Sequence, residues 1–317
     1  AGHKDNHGGL MTKDQMVNWQ SFMGVRQGHE WDRFEGIEDQ QGYNEWLKQI
    51  PFFKNSSRRL KDHKVAVPEL LSPKDKKLST QAGFGKLLDH IARQENPISK
   101  RLITICPDVS GTTSLGSWIN RKKLFARNPK RDVFKDSEIP STAKWEAEPS
   151  GQHLELGIAE MNLFIALAAA GLSDSLFGKR LLPIGTLYDP FVCRGLDALN
   201  YACYQDARFM IVGTPSGVTL APEGGAHQSI STPLIGLSQD GIMSFEPAFV
   251  DELSIIMSWG LSFMQHDDGG SIYLRLTTRP LQQPKRQLTD NLKNDVVNGA
   301  YWWREPGPNC ELIIAYQ

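Results

Sequence analysis

One acidic side chain lies in the most apolar stretch of the sequence. Residues 157–171 read GIAEMNLFIALAAAG, and Glu160 is the single charged residue among them. Burial penalises an ionised carboxylate, whereas the first turn of a predicted helix favours its charge. Glu160 could therefore share a proton with a heteroaromatic nitrogen, or it could pair with an arginine or cap the helix backbone.

Other side chains with chemical potential directly follow predicted strands. An acid, two aromatic rings, a second acid and an imidazole come in that order, as Asp108, Tyr188, Phe191, Glu223 and His227. The two rings could stack on a planar ligand, and the imidazole could transfer a proton to a substrate. Each residue has an ordinary alternative: the rings as core, the histidine as a solvated loop residue, the first acid as a turn cap.

Alternating strands and helices predict the scaffold that would position these groups. Strands are predicted at 101–106, 153–157, 180–186, 208–214, 241–245 and 271–278, and helices at 79–94, 158–172, 191–204 and 247–264. The alternation indicates an α/β fold with a parallel sheet covered by helices on both faces, preceded by an irregular or helical N-terminal segment. Ligands of such sheets bind beyond the carboxyl ends of the strands.

Composition narrows the class of protein. The 317 residues carry a formal net charge of -1, and no apolar run reaches the ~18 residues of a membrane span, so neither nucleic acid nor membrane is a predicted partner. The three histidines before residue 30 lack ligand spacing, and no metal site is predicted. Apolar neighbours predict buried free thiols in a reducing, cytoplasmic compartment for Cys106, Cys193, Cys203 and Cys310.

These segments, taken in order, resemble the thiamine-diphosphate enzymes of the transketolase superfamily. LGIAEMN is similar to the strand–Gly–x–x–Glu element of their pyrimidine-binding domain, LLPIGTLYDPF to the next strand and its aromatic clamp, and PEGGAHQS to a Glu-Gly-x-x-His loop. AGHKDNHGGLMT, MGVRQGHEWDRFEG and PDVSGTTSLGSWINRKKLF resemble the homodimeric E1 component of 2-oxo acid dehydrogenase complexes, of the pyruvate dehydrogenase kind.

The resemblance implies a cofactor-binding set. Glu160 would hydrogen-bond N1′ of the aminopyrimidine of thiamine diphosphate and so help to activate the thiazolium. Tyr188 and Phe191 would flank and stack on the pyrimidine, and Ile158 would pack beside the cofactor. Asp108 would lie near the thiazolium.

The resemblance also implies a substrate side, with two departures. Glu223 and His227 would face a small 2-oxo acid, and the product would pass to a lipoyl-bearing E2 component. The residue after Asp108 is Val109, where pyruvate enzymes of the family carry an acid, and the loop after His227 lacks their extra histidines. Pyruvate or a close homologue is therefore the expected substrate.

The domain organisation follows from the same comparison. We expect an N-terminal segment and linker at 1–78, the pyrimidine-binding domain at 79–282 with a mobile loop at 119–150 near the site, and the start of a further domain at 283–317. The family's Gly-Asp-Gly motif for diphosphate and magnesium is not found, and DDGG at 267–270 is not such a motif. We therefore expect a fragment of a longer chain that supplies half a site.

Two alternatives remain open from the sequence. A transketolase-type ketol transferase should carry basic residues for sugar phosphate, and Arg279 is the obvious candidate. A non-catalytic dimerisation module should lack an organised cluster of acid and rings. Either way, CELIIAYQ at the end reads as a β-strand, and exposed apolar surface predicts self-association.

Overall fold

The computed structural model describes residues 9–50, 53–54, 59–128, 136–139 and 145–316. The chain divides into two compact units, residues 1–60 and residues 61–317. The first contains helices α1 (Lys13–Phe22) and α2 (Gln40–Gln49), and neither helix has a buried residue. This unit agrees with the irregular and helical start predicted for the chain.

The second unit is built on a parallel sheet. Within its described residues the sheet strands are β2 (Leu102–Cys106), β3 (Leu124–Phe125), β4 (Ala147–Glu148), β5 (His153–Glu155), β6 (Leu182–Leu187), β7 (Met210–Gly213), β8 (Ile242–Phe245) and β9 (Ser271–Arg275). Their order is β4-β3-β5-β2-β6-β7-β9-β8, and all neighbours are parallel. Strands β1 (Lys77–Leu78) and β10 (Leu281–Gln282) form a separate antiparallel pair. The predicted fold class is confirmed.

Helices cover both faces of this sheet. They are α3 (Thr80–Arg93), α4 (Pro97–Arg101), α5 (Gly116–Lys122), α6 (Glu160–Gly171), α7 (Ser173–Phe177), α8 (Leu196–Tyr204), α9 (Pro233–Ser238), α10 (Val250–Phe263) and α11 (Asp290–Asn298). Helices α3, α5 and α10 pack in one apolar cluster, and α6 and α8 in another. Among the described residues, none of the helices has the length and apolar character needed to cross a bilayer.

The strands are recognisable in the sequence because they are buried on both sides. In β7, Met210 and Val212 belong to one apolar cluster and Ile211 to the other. Successive side chains of a strand point to opposite faces, so a strand that is covered on both faces is buried along its length and is mostly apolar. Helix α3 is recognisable by a different period, since its apolar side chains recur on one face, and Ser79 caps its N-terminus.

The C-terminal segment differs from its prediction. Residues 310–316 form no strand in the described structure, and Leu312, Ile313 and Ile314 are 64–75% exposed. An apolar run becomes a strand only where a neighbouring strand pairs with its backbone. This segment has no such neighbour among the described residues.

The segment 119–150 also differs from a plain loop. Its described parts include the end of α5 and the short strands β3 and β4, which extend the edge of the sheet. Residues 129–135 and 140–144 lie outside the described residues. The expected mobility of this segment therefore stays a prediction.

The prediction of four buried thiols is wrong in part. All four cysteines are free, but only Cys106 is buried; Cys203 is half-buried, and Cys193 and Cys310 are exposed. Burial raises the pKa of Cys106 and raises that of Cys203 to about 11. Apolar neighbours in the sequence do not reveal which face of a turn a thiol occupies.

Candidate active site

The acid that begins helix α6 is almost fully buried. Gly157, with φ +68°, turns the chain between the end of β5 and the start of α6, a conformation that suits glycine. Glu160 is 7% exposed, and its Oε1 accepts a hydrogen bond from Arg194 Nη1 at 2.9 Å. Of the alternatives raised by the sequence, the arginine pairing is the one observed.

Three rings converge from two neighbouring strand ends. The ring centroids of Tyr188 and Phe191 are 6.0 Å apart, and His227 lies 5.3 Å from the first and 5.4 Å from the second. His227 Nδ1 lies 3.0 Å from the carbonyl of Glu223, which can only accept, so Nδ1 carries the proton. In the neutral imidazole the Nε2 atom is then left as an acceptor.

Arg194 joins the acid to these rings. Its guanidinium carbon lies 3.7 Å from the centroid of Phe191, a stacking distance, while its Nη1 donates to Glu160. Phe191 and Arg194 lie in the 3-10 helix Asp189–Gly195, where residues three apart share a face. The acid, the arginine and the three rings therefore form one cluster of contacts, made of Glu160, Arg194, Tyr188, Phe191 and His227.

The loop after strand β2 adjoins this cluster. The hydroxyl of Tyr188 donates to Thr112 Oγ1 at 2.9 Å. Asp108 is exposed and adopts φ +69°, and its backbone amide donates to Glu155 Oε1 at 2.8 Å. The loop is thus tied to the rings on one side and to strand β5 on the other.

Two predicted site residues lie at the rim. Ile158 is 76% exposed, and Glu223 is exposed in a short 3-10 turn. The geometry links Glu223 to the cluster through its carbonyl rather than through its carboxylate.

A polar network beneath the β2 loop was not singled out from the sequence. The buried His153 lies between Thr104 Oγ1, at 2.7 Å, and Glu155 Oε2, at 3.2 Å, and Ser110 donates to that same carboxylate at 2.6 Å. Burial opposes ionisation of Glu155, but the bonds from His153, Ser110 and the Asp108 amide outweigh it and lower its pKa. The alternation of His153 and Glu155 in a predicted strand was the available signal.

We expect Glu155 to make the free energy of unfolding depend on pH in the acid range. Because its folded pKa lies below the ordinary value of 4.5, its contribution is complete above that pH and is lost as the pH falls through the folded pKa. The difference in the free energy of unfolding between the wild type and Glu155→Gln should therefore shrink below pH 4.5. Urea unfolding at a series of pH values measures it, and a difference independent of pH would contradict the assignment.

Arg194 is a further site residue that was not identified from the sequence. Its partner Glu160 lies 34 residues earlier, so the ion pair has no local pattern. The spacing of three residues between Phe191 and Arg194 could have indicated their contact, but only if a 3-10 helix had been predicted after LYDPF.

The sequence matches a known family over most of its length. Residues 59–280 match the family described as "Pyruvate dehydrogenase E1 component middle domain". The chain is 30% identical over 264 residues to the pyruvate dehydrogenase E1 component of Mycolicibacterium smegmatis, covering 80% of this chain and 28% of that protein. It is 27% identical over 234 residues to the E1 component of Escherichia coli K12, covering 73% and 26% respectively.

Solved structures share the fold. A transketolase from Campylobacter jejuni aligns with a TM-score of 0.53 and 14% identity, covering 82% of this chain and 35% of that chain. A transketolase variant from Pichia stipitis aligns with a TM-score of 0.54 and 17% identity, covering 78% and 34%. The chain spans little more than a quarter of the length of the curated relatives named above. By its sequence match, the chain belongs to the family of pyruvate dehydrogenase E1 component middle domains.

Proposed function

We propose that this chain forms the pyrimidine-binding half of a thiamine diphosphate site in an E1 enzyme. The enzyme decarboxylates a short 2-oxo acid, pyruvate or a close homologue, and transfers the product to a lipoyl-bearing E2 component. The observation that carries the proposal is the cluster at the carboxyl ends of parallel strands, formed by Glu160, Arg194, Phe191, Tyr188 and His227.

The residues of the cluster suit an aminopyrimidine. A sheltered carboxylate beside aromatic faces matches a planar heterocycle that has a basic ring nitrogen. Glu160 would hold a proton at that nitrogen, Tyr188 and Phe191 would stack on the ring, and Ile158 would pack beside the cofactor. The bound cofactor supplies a thiazolium carbon as nucleophile and electron sink.

Arg194 occupies a place that the aminopyrimidine would take over on binding. Its guanidinium is planar, donates N–H to Glu160, and lies against Phe191, so it already meets both groups that an aminopyrimidine would need. Its side chain is 52% exposed, and water can solvate the guanidinium when it leaves. We infer that Arg194 balances the charge of Glu160 in the free chain and yields its place when a ring binds.

The substrate side is assigned to the loops after β2 and β7. His227 presents Nε2 as an acceptor and can exchange a proton there with a substrate oxygen. Asp108 and Glu223 add exposed acids at the rim. Val109 leaves this side less acidic than in the pyruvate enzymes that the chain resembles, which is why a close homologue of pyruvate stays within the proposal.

The remaining parts of the site are assigned to other polypeptide. Diphosphate and magnesium would be held outside residues 1–317, with 1–78 as linker, 79–282 as the pyrimidine-binding domain and 283–317 as the start of another domain, in a cytoplasmic homodimer. The neighbouring helices α6 and α8 support an interface, because Ile165 is 55% and Tyr204 is 86% exposed.

The test is turnover by the complete subunit that contains this chain. Assays supply thiamine diphosphate, Mg²⁺ and an artificial electron acceptor, with pyruvate and 2-oxobutyrate in parallel and a ketose phosphate with an aldose phosphate as the transketolase arm. We expect cofactor-dependent decarboxylation of a 2-oxo acid. Ketol transfer, or decarboxylation that needs no thiamine diphosphate, would contradict the proposal.

The half-site itself is tested on the 317-residue chain alone. Isothermal titration should show weak binding of thiamine diphosphate, with no gain on addition of Mg²⁺. Tight, metal-dependent binding would show that the chain carries a complete site.

A further inference from the structure

We propose that Asp189 is the positioning residue of this site, whose buried carboxylate sets the spacing between the His227 imidazole and the ring pair of Tyr188 and Phe191. The inference rests on the proposed function only for the identity of the ligand. The placement of the rings is a property of the free chain and can be tested without any cofactor.

The carboxylate of Asp189 is fully buried and accepts hydrogen bonds from distant parts of the unit. Asp189 Oδ2 accepts from Ser229, from Thr232 Oγ1 at 2.5 Å and from Arg275 Nε at 3.2 Å. Oδ1 accepts from the hydroxyl of Tyr273. A buried carboxylate with this many donors is held in one place, since moving it would break several charge-assisted hydrogen bonds at once.

A glycine makes room for this carboxylate. A Cβ atom built on Gly213, the last residue of β7, would lie 2.2 Å from Asp189 Oδ1. Any side chain at that position would displace the acid. The end of β7 therefore leaves space for the carboxylate of Asp189. A turn residue with its side chain in solvent would not need that space.

Asp189 connects the two segments that carry the rings. It follows Tyr188 directly and precedes Phe191 by two positions, while Ser229 follows His227 by two. Ser229 is in turn held by Gly217, through the bond from its amide to the Gly217 carbonyl at 2.9 Å. One carboxylate therefore fixes the β6 turn and the His227 loop to each other.

Strand β9 provides the anchor for both segments. Arg275 is 4% exposed and lies between Asp189 and Glu246, so the buried guanidinium is paired on two sides. Its Nη2 also lies 3.4 Å from the Ser229 carbonyl. The positions of the three rings are thereby fixed relative to strand β9 of the sheet.

The test is the environment of His227 in the folded chain. Its imidazole lies against two aromatic rings, so the ring currents of Tyr188 and Phe191 displace the signal of its Hε1 proton. In a chain carrying ¹³C-histidine, with the signal assigned through His227→Gln, we expect Asp189→Asn to move that signal by more than its line width. The variant keeps the shape of Asp189 and removes its charge.

A second variant covers the case in which Asp189→Asn does not fold. Ser229→Ala removes the bond from this hydroxyl to the acid, together with the bonds that the hydroxyl accepts from the Gly217 amide at 3.1 Å and from Arg275 Nη2 at 3.4 Å. The other donors to Asp189 stay in place. It should move the same signal in the same direction. An unchanged His227 signal in either folded variant would overturn the proposal.

A matched control separates positioning from general destabilisation. Asp62 is another acid with a buried side chain, and it accepts from Arg101 and from the amide of Arg180. These two partners lie at the amino ends of β2 and β6, whereas the rings follow the carboxyl ends of β6 and β7. Asp62→Asn should lower the free energy of unfolding without moving the His227 signal. If it moves that signal as far as Asp189→Asn does, Asp189 has only a structural role.

The outcome is independent of the turnover assay. A complete subunit that fails to use thiamine diphosphate would remove the proposed function and leave the His227 spectra interpretable. Unchanged spectra with normal turnover would remove the role of Asp189 alone.

Discussion

Phe164→Ala is expected to destabilise the unit of residues 61–317 by about 3–5 kcal/mol, the usual cost of removing a buried phenyl ring. The ring is 0% exposed and lies on the core side of helix α6. A Cβ atom on Gly195 would lie 2.2 Å from Phe164 Cδ2, so the ring fits directly against the backbone that follows Arg194. Backbone cannot move in to fill the cavity as a flexible side chain could.

This loss is a large share of the free energy of unfolding, which is only about 5–15 kcal/mol for a whole domain. Urea unfolding of the 317-residue chain, followed by circular dichroism, measures it. Ile165→Ala is the matched control, since Ile165 is the next residue of the helix and is 55% exposed. That variant should stay within about 0.5 kcal/mol of the wild type. Equal losses in the two variants would show that the groove at Gly195 does not hold the ring.

The scaffold could be predicted from the sequence because burial on both faces leaves a simple pattern. Strands β2, β6, β7 and β9 are short and mostly apolar runs, and helix α3 has one apolar stripe and a serine cap. The edge strands β3 and β4 have two residues each, too short for any pattern of hydrophobicity. These strands form because their backbones pair with a neighbouring strand, and the sequence carries no local pattern for that pairing.

The candidate site was predictable in its rings and acid, but not in what holds them. Tyr188, Phe191 and His227 could be located because they follow predicted strands, and parallel strands end at one edge. The contact of Tyr273 with Asp189 joins residues 84 positions apart, and no local spacing indicates it. Pairings of this kind appear only when the chain has folded.

The two buried acids of the site differ in how they are satisfied. Asp189 accepts from four internal donors and has no exposed surface, so water cannot replace a donor that is lost. Glu160 meets a donor from Arg194, whose side chain is half exposed. The first arrangement suits a fixed support, and the second suits an acid that must change partners when a ligand binds.

Glu160→Gln is therefore expected to lower kcat of the complete subunit by about 10²–10⁴-fold, the usual contribution of a positioned acid or base. Glutamine keeps the length of the side chain and can still contact a ring nitrogen, but it cannot take up and return a proton there. The assay uses saturating thiamine diphosphate, so that a loss of affinity is not mistaken for a loss of chemistry. Fluorescence or calorimetric titration of the same variant measures the affinity separately.

Asp197→Asn is the control that shows whether any acid in the first turn of a helix has this effect, or only the sheltered acid of the cluster. Asp197 lies in the first turn of helix α8, as Glu160 does in α6, but its side chain is exposed rather than sheltered. If the helix terminus alone favoured a nearby carboxylate, the two substitutions should have similar small effects. We expect full turnover from Asp197→Asn, because the proposed site holds the proton beside the Phe191 face, where Glu160 meets Arg194. Undiminished turnover in Glu160→Gln would mean that the sheltered carboxylate serves only to pair with that arginine.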